Sequence, residues 1–155
     1  MNQLEEELCK CLNRKLVTFK FFEEYELRDM PCYFSLRKVS AGATIWREGD
    51  SCEYMIFILS GHVEIKKETE FRGGQITLAI YESGSIAGEL CMLDQKPRAV
   101  TATAIDDAML VTLSRENFDK LLQEHPALGM KLLKGMLLST STRLRKSFDR
   151  LVTIF

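Results

Sequence analysis

The sequence predicts a mainly β fold with flanking helices: about eight short strands in a sandwich or barrel, with helical segments before and after. Two observations predict it. Apolar residues recur at helical spacing near the N-terminus, give way to short β-type runs between Leu36 and Leu113, and return to helical spacing beyond. Glycines punctuate the middle region at Gly42, Gly49, Gly61, Gly73-Gly74 and Gly84, so the strands follow one another too closely for β-α-β units.

Size and composition agree with one packed domain. The chain has 155 residues, 46% apolar and 28% charged, enough to bury a core without disulfide or metal staples and too apolar for disorder. With 21 basic and 22 acidic residues, the net charge is −1. That removes the simplest electrostatic case for nucleic-acid binding.

Residues 1–35 read as N-terminal helices. Leu4, Leu8, Cys11, Leu12 and Lys15/Leu16 share one face, with Glu5-Glu6-Glu7 suited to a helix start. A second short helix around Phe22 to Met30 is expected to stop at Pro31. Residues 36–113 hold the strands. Tyr54 to Leu59 is continuously apolar, as a strand covered on both faces would be, and His62 to Lys66 alternates with Val63 and Ile65 inward. Residues 71–75 form a hairpin turn before the Ile76 to Tyr81 strand, and Ala99 to Ala104 and Met109 to Leu113 complete the set. Residues 114–155 are helical again: Ser114 caps a short helix through Leu122, and Pro126 opens a longer one reaching about Arg150.

Five cysteines occur at 9, 11, 32, 52 and 91. The acidic N-terminus lacks the apolar core of a signal peptide, and no run approaches a membrane span, so the expectation is a cytoplasmic chain with free thiols and no membrane contact. The C-x-C pair has no zinc or iron–sulfur spacing, and His62 and His125 stand apart, so no metal is expected. No nucleophile–base pair or Walker-type loop supports an enzyme.

One stretch breaks the strand pattern: Gly84-Ser85-Ile86-Ala87-Gly88-Glu89-Leu90-Cys91-Met92-Leu93-Asp94-Gln95-Lys96-Pro97-Arg98-Ala99-Val100-Thr101. Glu89 to Leu93 reads as one helical turn opened by Gly88, whose missing Cβ lets a ligand approach the backbone. Arg98 offers a planar fork for a phosphate, and Glu89 can only accept, so its partner is a hydroxyl on the same ligand. Together they describe a nucleotide whose phosphate and sugar hydroxyl lie close together.

This stretch, residues 84–101, resembles the phosphate-binding cassette of cyclic nucleotide-binding domains. Those domains occur in the bacterial cAMP receptor (Crp/Fnr) family, the regulatory subunits of cAMP-dependent protein kinase and cyclic nucleotide-gated channels. The resemblance rests on Gly88-Glu89-Leu90, the spacer Leu90 to Pro97, and Arg98-Ala99-Val100-Thr101. Ala41-Gly42-Ala43-Thr44-Ile45, Arg47-Glu48-Gly49-Asp50 and Ile56-Phe57-Ile58-Leu59-Ser60-Gly61 extend it, so that it covers roughly Leu36 to Arg145. It implies a double-stranded β-helix (jelly-roll) barrel with N-terminal helices and a long C-terminal helix. It also implies a regulatory, nucleotide-binding role in signal transduction. Carried over by position, Glu89 binds the ribose 2′-hydroxyl and Arg98 the cyclic phosphate. Backbone groups at Gly88, Leu90, Cys91, Ala99 and Val100 complete the cradle. Ala99 lacks the hydroxyl that favours cGMP in many members, which leans the ligand to cAMP, with cGMP possible. Ser85 and Ala87 depart from the family's usual Asp and aromatic, and the small residue at 87 leaves volume beneath the cassette.

In the last helix Met130, Leu133, Leu137, Thr140, Leu144, Ser147 and Leu151 form a heptad seam, while Leu132 and Met136 point toward the barrel. The seam serves either a parallel homodimer, as in bacterial members, or one amphipathic helix covering its own domain. The same helix caps the purine in the family, with Thr140, Ser141, Arg143 and Leu144 as candidates here. Because the sequence ends at Phe155 with no helix-turn-helix after that helix, the expectation is a sensor without direct DNA binding that signals to an unidentified effector protein. The alternative is an adaptor that kept the fold but binds another ligand or none.

Overall fold

The computed structural model describes residues 2–13, 17–71 and 73–154, except for the side chains of residues 8, 9 and 11–13. Among the described residues, eight strands form two four-stranded antiparallel sheets. In one, β1 (Phe34–Val39), β8 (Ala108–Ser114), β3 (Tyr54–Ser60) and β6 (Ile86–Ala87) lie in that order. In the other the order is β2 (Thr44–Trp46), β7 (Thr101–Ala104), β4 (Val63–Glu68) and β5 (Gln75–Tyr81). This is the expected jelly-roll architecture.

The apolar run in β3 is explained by burial on both faces. Met55, Ile56, Phe57 and Ile58 are all 0% exposed. Alternation sends Met55 and Phe57 into a cluster with Met30, Val111, Leu113, Phe118 and Leu132 under the helices. Ile56 and Ile58 join Trp46, Val63, Ile65, Ala87, Ala102 and Leu110. The β4–β5 hairpin closes at Glu68 opposite Gln75, and β5, at the edge of its sheet, leaves Ile76, Leu78 and Ile80 exposed.

The N-terminal region is less helical than expected. The first helix, α1 (Gln3–Asn13), is present, and its Leu4 packs on the core. Residues 15 and 16 lie outside the described set, as do the side chains of Leu8, Cys11 and Leu12. In place of a second α-helix there are 3-10 turns at Val17–Phe19, Glu24–Asp29 and Pro31–Tyr33. Pro31 therefore opens a turn rather than simply ending one, since a missing N–H and a fixed φ suit a first helical position.

At the other end the sequence rules hold closely. Ser114 Oγ accepts the Asn117 N–H at 3.0 Å and caps α3 (Arg115–Glu124), and Pro126 starts α4 (Pro126–Ile154). Leu128, Leu132 and Met136 bury one face of α4. Gly135 allows the approach, because a Cβ there would collide with the Thr18 carbonyl. Lys131 clamps the same helix to Glu26 at 2.5 Å, and Tyr33 donates to Glu124 at 2.6 Å. That bond to a carboxylate pushes the Tyr33 hydroxyl up to about 12. Among the described residues no helix is long and apolar enough to cross a membrane.

Candidate functional site

The cassette leaves the barrel at β6, turns at Gly88 and re-enters at β7. Gly88 has φ +82°, and Glu89 occupies the cap position of α2 (Leu90–Asp94), one residue later than the expected turn. Gln95, left-handed at φ 58°, ends that helix, and the chain then passes Pro97 to Arg98. The Arg47–Asp50 turn braces this return. The Gly49 N–H donates to the Arg98 carbonyl at 2.9 Å, the Arg98 N–H donates to the Asp50 carbonyl at 2.8 Å, and the Glu48 N–H donates to Thr101 Oγ1 at 2.9 Å.

Arg98 is the group that most needs explaining. It is 3% exposed, and no carboxylate pairs with it among the described ion pairs. Its guanidinium stacks on Trp46 at 3.8 Å and faces Tyr54 at 5.0 Å. Nη2 donates to the Tyr54 carbonyl at 2.6 Å, Nη1 to Cys91 Sγ at 3.5 Å, and Nε has no partner. Burial lowers the pKa of the guanidinium, opposed by Tyr54, Asp50 and Glu53, but an arginine this basic stays charged. Two aromatic faces and a carbonyl offset part of the desolvation, and a full counter-charge is missing. Gly88 makes room for this packing: a Cβ would lie 2.5 Å from Nη1 and 3.0 Å from the Trp46 ring.

Glu89 turns the other way. It is 8% exposed, and its Oε1 accepts from Arg143 of α4 at 2.7 Å, leaving Oε2 as the free acceptor. Arg143 also donates to the Ile86 carbonyl and stacks on Tyr81 at 4.1 Å. Burial raises the pKa of the Tyr81 hydroxyl, and the nearby Arg143 charge opposes that rise. Arg143, the candidate for stacking on the purine, thus also pairs with the candidate sugar ligand, since a buried carboxylate attracts the nearest cation.

The remaining candidates fall into place around these two. Leu90 is 59% exposed on α2. The Ala99 carbonyl accepts from Lys67 at 2.9 Å and that of Val100 from Trp46 Nε1 at 3.0 Å, so both strand-return residues are engaged through their backbones. Thr140 lies half-buried on α4, one turn before Arg143. Ala87, which is 2% exposed, packs within the cluster containing Trp46.

One expectation is overturned. Cys52 and Cys91 are joined by a disulfide, with Cα atoms 5.9 Å apart and a sequence separation of 39; neither is a free thiol. Folding brings the segment before β3 against α2, a proximity that sequence spacing does not encode. Cys32 is free and exposed.

Sequence reasoning also passed over Trp46, Tyr54 and Tyr81. A solitary tryptophan beside Arg47-Glu48-Gly49-Asp50 was the available signal for the first; the tyrosines read as ordinary strand residues.

A sequence model described as cyclic nucleotide-binding domain matches residues 36–125. The crystal structure of a cyclic nucleotide-binding domain from Methylobacillus flagellatus superposes with a TM-score of 0.85 at 31% identity, covering 97% of this chain and 84% of that one. The cyclic AMP receptor protein of Thermus thermophilus is 31% identical over 100 residues, 64% of this chain and 46% of the receptor. A lysophospholipase of Chaetomium globosum, an enzyme in which such a region is a small part, is 36% identical over 63% of this chain and only 6% of its own length. The chain thus spans less than half of either full-length relative. A match over more than half its length, on the residues that build the barrel and cassette, means that the chain belongs to the cyclic nucleotide-binding domain family.

Proposed function

We propose that this domain is a cAMP-responsive regulatory module whose ligand phosphate is taken by Arg98 and whose ribose hydroxyl is taken by Glu89. The observation that carries the reading is the buried guanidinium of Arg98, with an unpartnered Nε and no carboxylate. A cyclic phosphate would supply the missing charge, and the backbone at Gly88, Leu90, Cys91, Ala99 and Val100 would complete its cradle. Arg143 holds Glu89 by Oε1 and leaves Oε2 for the hydroxyl. Ala99 supplies no hydroxyl for guanine, which favours cAMP over cGMP.

Output in this reading passes through α4. Arg143 ties that helix to the cassette, so a ligand engaging Glu89 bears on the helix directly, and Thr140 stands one turn away to meet the purine. Ligand favours whichever placement of α4 binds it better and shifts that population. The exposed seam of Met130, Leu137, Leu144 and Leu151 is the surface offered to a second copy or to an effector. The second reading, an adaptor without nucleotide, draws on the same exposed face and on the internal contacts that Arg98 already makes.

Thermal melting with cAMP, cGMP and 5′-AMP separates the two. The module reading expects a rise in Tm with cAMP, a smaller one with cGMP and none with 5′-AMP. An unchanged melt at millimolar cAMP leaves the adaptor.

A further inference from the structure

We infer that the Cys52–Cys91 disulfide is a reversible redox switch on the cassette, closed when oxidised and opened by thiol reductants to permit tighter anion binding. The affinity arm rests on the proposed nucleotide site; the switch itself does not. The bond ties α2 to the segment entering β3. Other anchors on that five-residue helix are few: Met92 is buried and Arg115 donates to the Cys91 carbonyl at 2.9 Å, while Leu90 and Leu93 are 59% and 66% exposed. The same sulfur holds the ligand arginine, since Arg98 Nη1 donates to Cys91 Sγ at 3.5 Å while Nη2 donates to the Tyr54 carbonyl. The oxidised form therefore keeps both the amides of α2 and the fork of Arg98 in an inward arrangement.

The chemistry balances with a dithiol reductant. Its thiolate attacks Cys52 Sγ, the Cys52–Cys91 bond breaks, and Cys91 departs as a thiolate beside the Arg98 guanidinium, which stabilises it. The reductant's second thiol then displaces Cys52. The reductant ends as a disulfide, and its two electrons and two protons reside on the two protein thiols. Oxidised glutathione reverses the sequence. The reduced Cys91 thiol has an acceptor waiting, the Gly88 carbonyl 3.4 Å away. Both sulfurs are buried, at 4% and 5% exposure for their residues, so exchange proceeds when α2 opens.

The test compares the oxidised and dithiothreitol-reduced protein, with Cys52→Ser as a permanently reduced form. Hydrogen exchange should be at least about tenfold faster at 90–94 after reduction, and calorimetric cAMP affinity about tenfold higher, as when a tether confines the competent arrangement to roughly a tenth of molecules. Equal exchange at 90–94 in the two redox forms overturns the switch. So does alkylation of Cys52 and Cys91, mapped by mass spectrometry, before any reductant is added. Faster exchange on reduction with no cAMP bound in either form upholds the switch and removes the nucleotide reading instead. The wild-type comparison stands even if the serine variant fails to fold.

Discussion

The guanidinium carbon of Arg98 stands 3.8 Å from the centre of the Trp46 ring, so the candidate phosphate ligand and the chain's single tryptophan form one packed unit. A ligand that draws Arg98 outward has to break this stack. Trp46 emission should therefore change on titration with cAMP, along one curve with calorimetric saturation. Trp46→Ala should reduce stability by about 3–5 kcal/mol in urea unfolding, the usual range for emptying a buried aromatic site, whereas Trp46→Phe keeps a ring face and loses less.

Arg98 itself gives the sharpest functional variant. A charge-assisted bond contributes about 1.5–3 kcal/mol, so Arg98→Ala should weaken cAMP roughly ten- to a hundredfold. Arg98→Lys retains the charge without the two-pronged geometry and should recover only part of that loss. Isothermal titration measures both, with circular dichroism to check that the fold survives.

Gly88→Ala should damage fold and site together. The backbone there has φ +82°, and the new methyl would meet Arg98 Nη1 at 2.5 Å. The left-handed conformation alone costs about 1–2 kcal/mol for a residue with a Cβ, and displacing Arg98 adds to it. The expected result is a lower urea midpoint and weaker cAMP binding, whereas Gly42→Ala, at φ +83° with nothing within 4 Å, should show the conformational loss alone.

The two faces of α4 should respond differently to truncation. Leu132 is 0% exposed, and Leu132→Ala should lose about 2–5 kcal/mol at any protein concentration. Leu137 and Leu144 are 67% and 52% exposed, so their replacement should leave an isolated domain almost unchanged. A concentration-dependent fall in Tm for Leu137→Ala, together with a lower mass in sedimentation, is the outcome expected if the seam joins two copies.

Acid should loosen the base of α4. The hydrogen bond from Lys131 holds the Glu26 carboxyl below its ordinary value of 4.5, helped by the Glu23 N–H. A lowered native pKa contributes stability that is complete above the unfolded value and disappears as pH falls through the native one. Lys131, raised by the same bond, loses its share only in strong alkali. The Tm difference between wild type and Glu26→Gln should therefore be present at neutral pH and shrink as pH falls below 4.5 and through the lowered native value; a difference that does not shrink in acid assigns it to packing.

Much of this was legible in the residues, for identifiable reasons. The strand limits followed from glycine punctuation and from the apolar run at 54–59, and the helix starts from Ser114 and Pro126, because these signals are local. Gly88, Glu89 and Arg98 were legible because the cassette is one continuous stretch. What escaped depends on contacts between distant segments. Nothing near Arg143 announces that Glu89, 54 positions earlier, is its partner. Nothing near Cys52 points to Cys91. The region around 17–33 was read as helix because its apolar spacing tolerates either geometry; packing against α4 at Gly135 selects short turns.

The 29 residues of α4 have a mechanical consequence. At 1.5 Å per residue the helix is about 43 Å long, and none of its described side chains beyond Met136 is buried. Over that outer stretch, side-chain hydrogen bonds to the barrel come from Arg143, to Glu89 and Ile86, and Arg150, to Leu78. The helix is thus a lever with its fulcrum at the core and its load at the tip. Some 27 Å separates Met136 from Ile154, so a tilt of about 10° swings the tip by roughly 5 Å. With Arg143 about 10 Å from Met136 along the axis, a sub-ångström adjustment where it grips Glu89 would be magnified about two- to threefold at the tip.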